Sequence, residues 1–141
     1  MNANDIISAI TYTLGINFPS VTPYKENVKQ GFKAPAFYIE EINSTSHKQL
    51  GRKYKRRYSF SIKYYTDQIE DINQELHNVS DKLCEILELM KFDKTVIKGT
   101  GMESKIDDNV LHFQIDVKVN LLKENTNSKL GALEVDVNAK S

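Results

Sequence analysis

The sequence predicts a two-layer α+β domain, in which an antiparallel sheet carries two helices on one face, in the order α-β-β-β-α-β-β. Residues 54–65 and 110–122 alternate between apolar and polar side chains, as a strand with one buried face does. Between residues 67 and 90, apolar side chains instead recur every three or four positions, which is the period of an amphipathic helix. These two periods, in this order along the chain, predict the fold class.

The first predicted helix covers residues 5–16, and Asn4 is placed to cap its N-terminus. Gly15 and Pro19 are expected to end it. Its apolar arc consists of Ile6, Ile7, Ile10 and Leu14.

Three strands are predicted next. The segment from Val21, with the sequence VTPYKE, is a short strand, and Pro23 places it at a sheet edge because proline cannot donate to a ladder. Residues 36–42 form the second strand. A polar loop over 43–53 leads into the long strand 54–65.

The second helix is predicted to begin at Asp67, with Glu70 completing a capping box. Its apolar residues lie within about 100° of arc, the width of one buried stripe. They are Ile69, Ile72, Leu76, Val79, Leu83, Ile86, Leu87 and Met90.

The last part of the domain is predicted as two strands. Residues 94–106 form a strand interrupted at 99–101, where the sequence Gly-Thr-Gly indicates a bulge or a mobile segment. Residues 107–109 form a turn, and 110–122 the final strand. The predicted organisation is a single domain over residues 1–122, followed by a linker and a C-terminal arm over 123–141.

Composition indicates a soluble globular protein, with 27% charged and 40% hydrophobic residues in 141. No apolar run approaches the roughly 20 residues of a membrane span, so no membrane association is expected. The N-terminus lacks the pattern of a signal peptide. The single cysteine, Cys84, cannot form an internal disulfide. The 19 basic and 19 acidic side chains balance, and this neutrality makes nucleic acid an unlikely main partner.

No motif for catalysis, cofactor binding or metal binding is present in the sequence. The three histidines, His47, His77 and His112, are far apart, and no pair has the spacing of metal ligands on a helix. The sequence therefore predicts no enzyme activity, no catalytic residue, no cofactor and no metal.

The charge is segregated, because residues 48–57 hold six basic side chains and no acid, which leaves 13 basic and 19 acidic side chains elsewhere. The basic residues are Lys48, Arg52, Lys53, Lys55, Arg56 and Arg57. Three interpretations are open. The segment is a solvated loop, or it binds single-stranded nucleic acid through interleaved Lys, Arg and Tyr, or it docks on an acidic protein surface. In a homo-oligomer, the acid-rich remainder of another copy could supply that surface.

The arm alternates again, at Leu133, Val135 and Val137, after the polar segment 124–128. One interpretation is a last strand that pairs within its own sheet. The other is an arm that adds to the sheet edge of a neighbouring subunit, where backbone hydrogen bonds give affinity and alternate side chains give register.

Most of the chain, about residues 4–122, resembles the small tail terminator (tail completion) proteins of bacteriophages and of phage-tail-like elements of Gram-positive bacteria. The resemblance lies in NDIISAITYTLGINFP from Asn4, in VTPYKENVKQGFKAPAFYI from Val21, and in RRYSFSIKYY from Arg56. The helix that follows and the closing hairpin fit the same pattern.

The resemblance implies a structural protein of a virion or a phage-tail-like particle, assembled in the cytoplasm of the bacterial host. It implies a ring, commonly a hexamer, that caps the tail tube, stops polymerisation of the tube protein, and faces the head connector. In contractile tails the ring would also hold the sheath protein. The alternative function is a single-stranded nucleic-acid-binding module that uses the strand 48–65.

Overall fold

The computed structural model describes residues 2–25, 33–48, 50–51, 53–93 and 95–122, and these form two helices and six strands. The predicted α+β class and element order are confirmed, with one short strand added after the second helix. The elements are α1 (Ala3–Asn17), β1 (Thr22–Tyr24), β2 (Ala36–Lys48), β3 (Lys53–Tyr65), α2 (Ile72–Ile86), β4 (Leu89–Phe92), β5 (Thr95–Asp107) and β6 (Val110–Leu122). The predicted linker and arm, 123–141, lie outside the described residues.

The strands form one mixed sheet in the order β1-β2-β3-β6-β5-β4. The sheet is antiparallel, as predicted, except that β1 pairs with β2 in parallel. The two edge strands are the shortest, with three residues in β1 and four in β4. Pro23 lies in β1, at the sheet edge where the sequence places it.

Both helices and one face of the sheet share a single hydrophobic core. In the two central strands, the apolar residues of β3 lie beside those of β6: Phe60 is paired with Ile115, and Ile62 with Phe113. The helices contribute the predicted apolar stripes, so the helical layer covers this face. The helical residues in the core include Ile6, Ala9, Ile10, Leu14, Leu76, Val79 and Leu83.

Helix α1 begins two residues earlier than the sequence predicts, because Asn2 and not Asn4 is its N-cap. The Asn2 side chain accepts a hydrogen bond from the backbone N–H of Asp5 (2.9 Å), and the Asp5 carboxylate accepts one from the Asn2 backbone (3.0 Å). A reciprocal capping box needs an acid three residues after the cap. Asp5 occupies that position relative to Asn2.

Helix α2 is shorter at both ends than the predicted segment. Its N-cap is Asp71, so the capping box expected at Asp67 does not form, and Ile69 is 90% exposed instead of lying in the stripe. Met90 is buried, but on β4. The helix ends early because the chain turns into the sheet: the Glu88 carbonyl accepts a hydrogen bond from the Gly99 backbone N–H (3.0 Å).

The β2–β3 hairpin is longer than predicted, because most of the expected loop 43–53 belongs to the two strands. Register shifts occur on β2 between Glu41 and Asn43 and on β5 between Thr100 and Glu103. The second shift confirms the bulge predicted at the Gly-Thr-Gly sequence.

The β5–β6 turn is also confirmed. It uses Asp108 and Asn109 at φ 51° and 60°, the positive values that a tight two-residue hairpin requires.

Candidate functional site: the open face of the sheet

The sheet face that points away from the helices, called the open face below, is uncovered by any described element. Its residues come from the polar positions of strands in which apolar and polar side chains alternate. One row crosses four strands through the pairs Tyr38–Lys63, Lys63–His112 and His112–Lys105. The Lys63 ammonium lies 6.0 Å from the centre of the Tyr38 ring, within range of a cation–π attraction. A whole face of polar and basic side chains is therefore available for contact with another molecule.

A buried carboxylate lies at the centre of the open face. Asp116 on β6 is 6% exposed, forms an ion pair with Arg57 on β3, and accepts a hydrogen bond from the Ser59 hydroxyl (2.7 Å). Gly101 lies against it: a Cβ at residue 101 would be 2.8 Å from the Asp116 Oδ2, and the residue has φ +56°. The bulge on β5 therefore brings the backbone close enough to help bury this carboxylate.

The electrostatics keep Asp116 ionised. Burial acts to raise the pKa of its carboxyl group, but hydrogen bonds from Arg57 and Ser59 and the charges of Arg57 and Lys118 outweigh it, so the pKa is below its ordinary value. Arg57 retains a 53% exposed side chain. The cluster therefore fixes Arg57 on the open face, paired with a carboxylate on the neighbouring strand.

A polar hollow of about 350 Å³ surrounds this cluster. Its lining is Asn43, Thr45, Arg57, Ser59, Gly101, Glu103, Gln114 and Asp116. Among the described residues, no group of three His, Cys, Asp or Glu side chains is arranged to hold a metal ion. In the same residues, no helix is long and apolar enough to cross a membrane.

The basic residues predicted as a contact surface separate onto two faces. Lys55 and Arg57 lie on the open face, and Lys48 is exposed at the end of β2, paired with Tyr54. Arg56 points to the helix side, half-buried, with its guanidinium carbon 5.7 Å from the centre of the Tyr58 ring. The remaining predicted positions, which are Arg52, the Lys53 side chain, Leu133, Val135 and Val137, lie outside the described residues.

Three aromatic side chains of β3, those of Tyr58, Phe60 and Tyr64, are poorly placed for stacking on bases. Tyr58 and Tyr64 are each 3% exposed and Phe60 is fully buried under the helices. The Tyr64 hydroxyl donates a hydrogen bond to Glu75 on α2 (2.9 Å), and burial together with this carboxylate raises the pKa of the phenol. Nucleic-acid binding through β3 would need these rings at the surface.

Two features of the site were missed by sequence reasoning. The partner of Arg57 was not identified, although Asp116 is the only acid in residues 110–122. The division of the basic segment between two faces was visible in the alternation of β3, but its consequence was not used: only every second basic residue can share a surface.

Comparisons with known proteins identify the family. A comparison with curated protein sequences found no match. Among the solved structures that match, one is 14% identical over 89% of this chain and 98% of the other, with a TM-score of 0.44. A family model described as "Phage tail terminator protein" matches residues 5–129, which include α1 except its first two residues, the whole of α2 and the six strands of the described residues. The chain therefore belongs to the phage tail terminator protein family and is a structural tail protein.

Proposed function

We propose that this protein forms a ring, with six subunits, that caps the completed tail tube, stops its polymerisation and provides the head-proximal interface. Membership of the tail terminator family makes it a structural tail protein. The observation in this chain that supports a capping role is the open face, where a polar and basic surface spans the sheet while the core is complete on the other side.

A ring suits this task for a geometric reason. A cap must bind the tube end without polymerising itself, and a closed ring of heterologous contacts uses both sides of every subunit. The ring then presents one rim to the tail tube protein and the other to the head connector, or to the sheath protein in a contractile tail. Assembly takes place in the cytoplasm of the bacterial host.

The basic residues and the arm are proposed as the contact elements. Lys48, Lys55 and Arg57 are exposed on or beside the open face, and with Arg52, Lys53 and Arg56 they are proposed to dock on protein. The arm residues Leu133, Val135 and Val137 are proposed to reach the sheet edge of a neighbouring subunit.

The test of the ring is the mass of the purified protein in solution, measured over a range of concentrations, together with negative-stain images. We expect a single species of six chains and ring-shaped particles of one diameter. Tail tube protein that polymerises in vitro should stop elongating when the ring is added. A protein that stays monomeric up to the concentration of tube assembly, or that leaves tube length unchanged, would overturn the proposal.

A further inference from the structure

One end of the open face carries four lysines that have no ion-pair partner among the described residues. Lys55 is on β3, Lys118 on β6, Lys98 on β5 and Lys91 on β4, and all four are exposed. Lys98 and Lys118 flank the paired residues Gly99 and Val117. These four lysines are called the basic patch below. They extend across four adjacent strands, and three strand spacings of about 4.8 Å make the patch about 14 Å wide.

The outer surface of α2 carries the opposite charge. Its exposed residues recur with spacings of three and four, so they line one side of the helix, opposite to the buried side formed by Leu76, Val79 and Leu83. This acidic stripe consists of Asp71, Gln74, Asn78, Asp81, Glu85 and Glu88. From Asp71 to Glu85 the helical rise gives it a length of about 21 Å.

The two surfaces lie on opposite sides of the domain and are unsatisfied within it. In the described part of the chain, the only ion pair joins Arg57 to Asp116, so no residue of the basic patch or of the acidic stripe forms a salt bridge, although the charge of Lys118 acts on Asp116. Each surface also exposes apolar side chains: Leu89 (63%) and Val96 (59%) beside the patch, and Ile69 (90%) beyond the N-terminus of α2. These apolar side chains add area that a bound partner would remove from water.

We infer that the basic patch of one copy docks on the acidic stripe of a second copy of this chain. The inference rests on the proposed ring, and it names the two surfaces that join neighbouring subunits. The stripe is longer than the patch is wide, so α2 of one subunit can lie across β3, β6, β5 and β4 of the next. Because the two surfaces are on opposite sides of each domain, every subunit uses one surface on each neighbour, which is the heterologous contact that a closed ring requires. Charge complementarity fixes the register and excludes wrong pairings, while the apolar side chains supply buried area.

The test reverses each surface separately in the full-length protein. Asp81→Lys with Glu85→Lys takes the stripe from four negative charges to no net charge, and Lys98→Glu with Lys118→Glu takes the patch from four positive charges to no net charge. We expect each variant to need at least about tenfold more protein for half-assembly than the wild type, because the net attraction is lost and the reversed side chains face like charges. A control with the same change of charge as Lys98→Glu with Lys118→Glu, Lys25→Glu with Lys33→Glu, alters exposed lysines outside both surfaces and should assemble as the wild type does.

The decisive step is to mix the two reversed variants. In an equimolar mixture the altered stripe of one variant meets the altered patch of the other, and the native patch meets the native stripe, so the ring should return with the two variants alternating. A single chain that carries all four substitutions should also assemble alone. Circular dichroism and the melting temperature of each variant show whether it folds.

Three results would overturn this inference while leaving the ring itself in place. The first is normal assembly by either folded variant alone. The second is failure of the mixture to assemble when both variants are folded. The third is a ring that survives Lys98→Glu with Lys118→Glu while salt-sensitive binding of a single-stranded oligonucleotide is lost, which would assign the patch to nucleic acid. A wild-type protein that never forms a ring would instead overturn the proposed function.

Discussion

Gly99 is predicted to be one of the least replaceable residues of the fold, and Gly99→Ala tests this with a single methyl group. A Cβ there would lie 2.4 Å from the Leu87 carbonyl oxygen and 2.5 Å from Cδ1 of Ile115, whereas ordinary contacts begin at 3.4 Å. Ile115 is fully buried, so the end of α2 would have to retreat by about 1 Å. That retreat would also break the hydrogen bond from the Gly99 N–H to the Glu88 carbonyl (3.0 Å).

The expected cost follows from these two losses. Overpacking a filled core costs about 1–3 kcal/mol, and a lost hydrogen bond adds about 1 kcal/mol, so we expect a destabilisation of about 2–4 kcal/mol. For a chain of this size the melting temperature should fall by about 6–16 °C. The same change at Gly15, in α1, meets nothing within 4 Å and should stabilise the helix by about 0.5–1 kcal/mol.

Urea unfolding and thermal melts at one fixed protein concentration measure both effects, because assembly would otherwise shift the apparent stability. A Gly99→Ala variant that melts within about 2 °C of the wild type would refute the packing argument.

Leu83→Ala removes a fully buried side chain of α2 and should cost about 2–5 kcal/mol in urea unfolding; an unchanged midpoint would show that the core does not depend on this stripe. Asp116→Asn should cost about 1–2 kcal/mol at pH 7, because Arg57 and Ser59 lose a charged acceptor. Because the pKa of Asp116 is lowered by folding, its stabilisation is present above the ordinary value of 3.8 and is lost as the pH falls below it. The unfolding free energies of the wild type and Asp116→Asn should therefore converge in acid, and a constant difference would contradict the ion pair. Deleting residues 129–141 should leave the melting of the domain unchanged but weaken the ring and give tails of irregular length, and unchanged mass and tail length would remove the arm from assembly.

Local periodicity was enough to predict the fold class and most elements. The alternation of β3 and β6 identified the buried faces, and the three-and-four spacing from Leu76 to Leu83 identified the core side of α2. The ends of α2 were misjudged, because Ile69 and Met90 continue the helical spacing by coincidence. Ile69 lies outside the helix because Asp71 is the N-cap, and Met90 lies on β4 beyond the end of the helix, where the Glu88 carbonyl bonds to the distant Gly99 N–H.

The contact between Asp116 and Arg57 at the centre of the open face also joins residues far apart in the sequence, so local patterns could not predict it. Asp116 and Arg57 are separated by 59 positions, and only the register of β3 against β6 brings them together. The alternation shows which face each residue lies on, but a shift of two residues would keep every face and change every partner. That α2 and the basic patch lie on opposite sides of the domain likewise depends on which face of the sheet the helices cover.

The two short edges of the sheet have a consequence for the unassembled protein. In the described residues, β1 offers a second sheet only three residues, one of them a proline without an N–H, and β4 offers four. Association costs about 4–15 kcal/mol in lost translational and rotational freedom. A few backbone hydrogen bonds do not offset this cost, because each contributes about 1 kcal/mol. Edge-to-edge joining through β1 or β4 is therefore weak, whereas residues 39–48 of β2, beyond the reach of β1, have no described strand on that side and form a longer edge to which a strand can add. An arm that adds to either edge must be held by its alternating side chains as well as by its backbone.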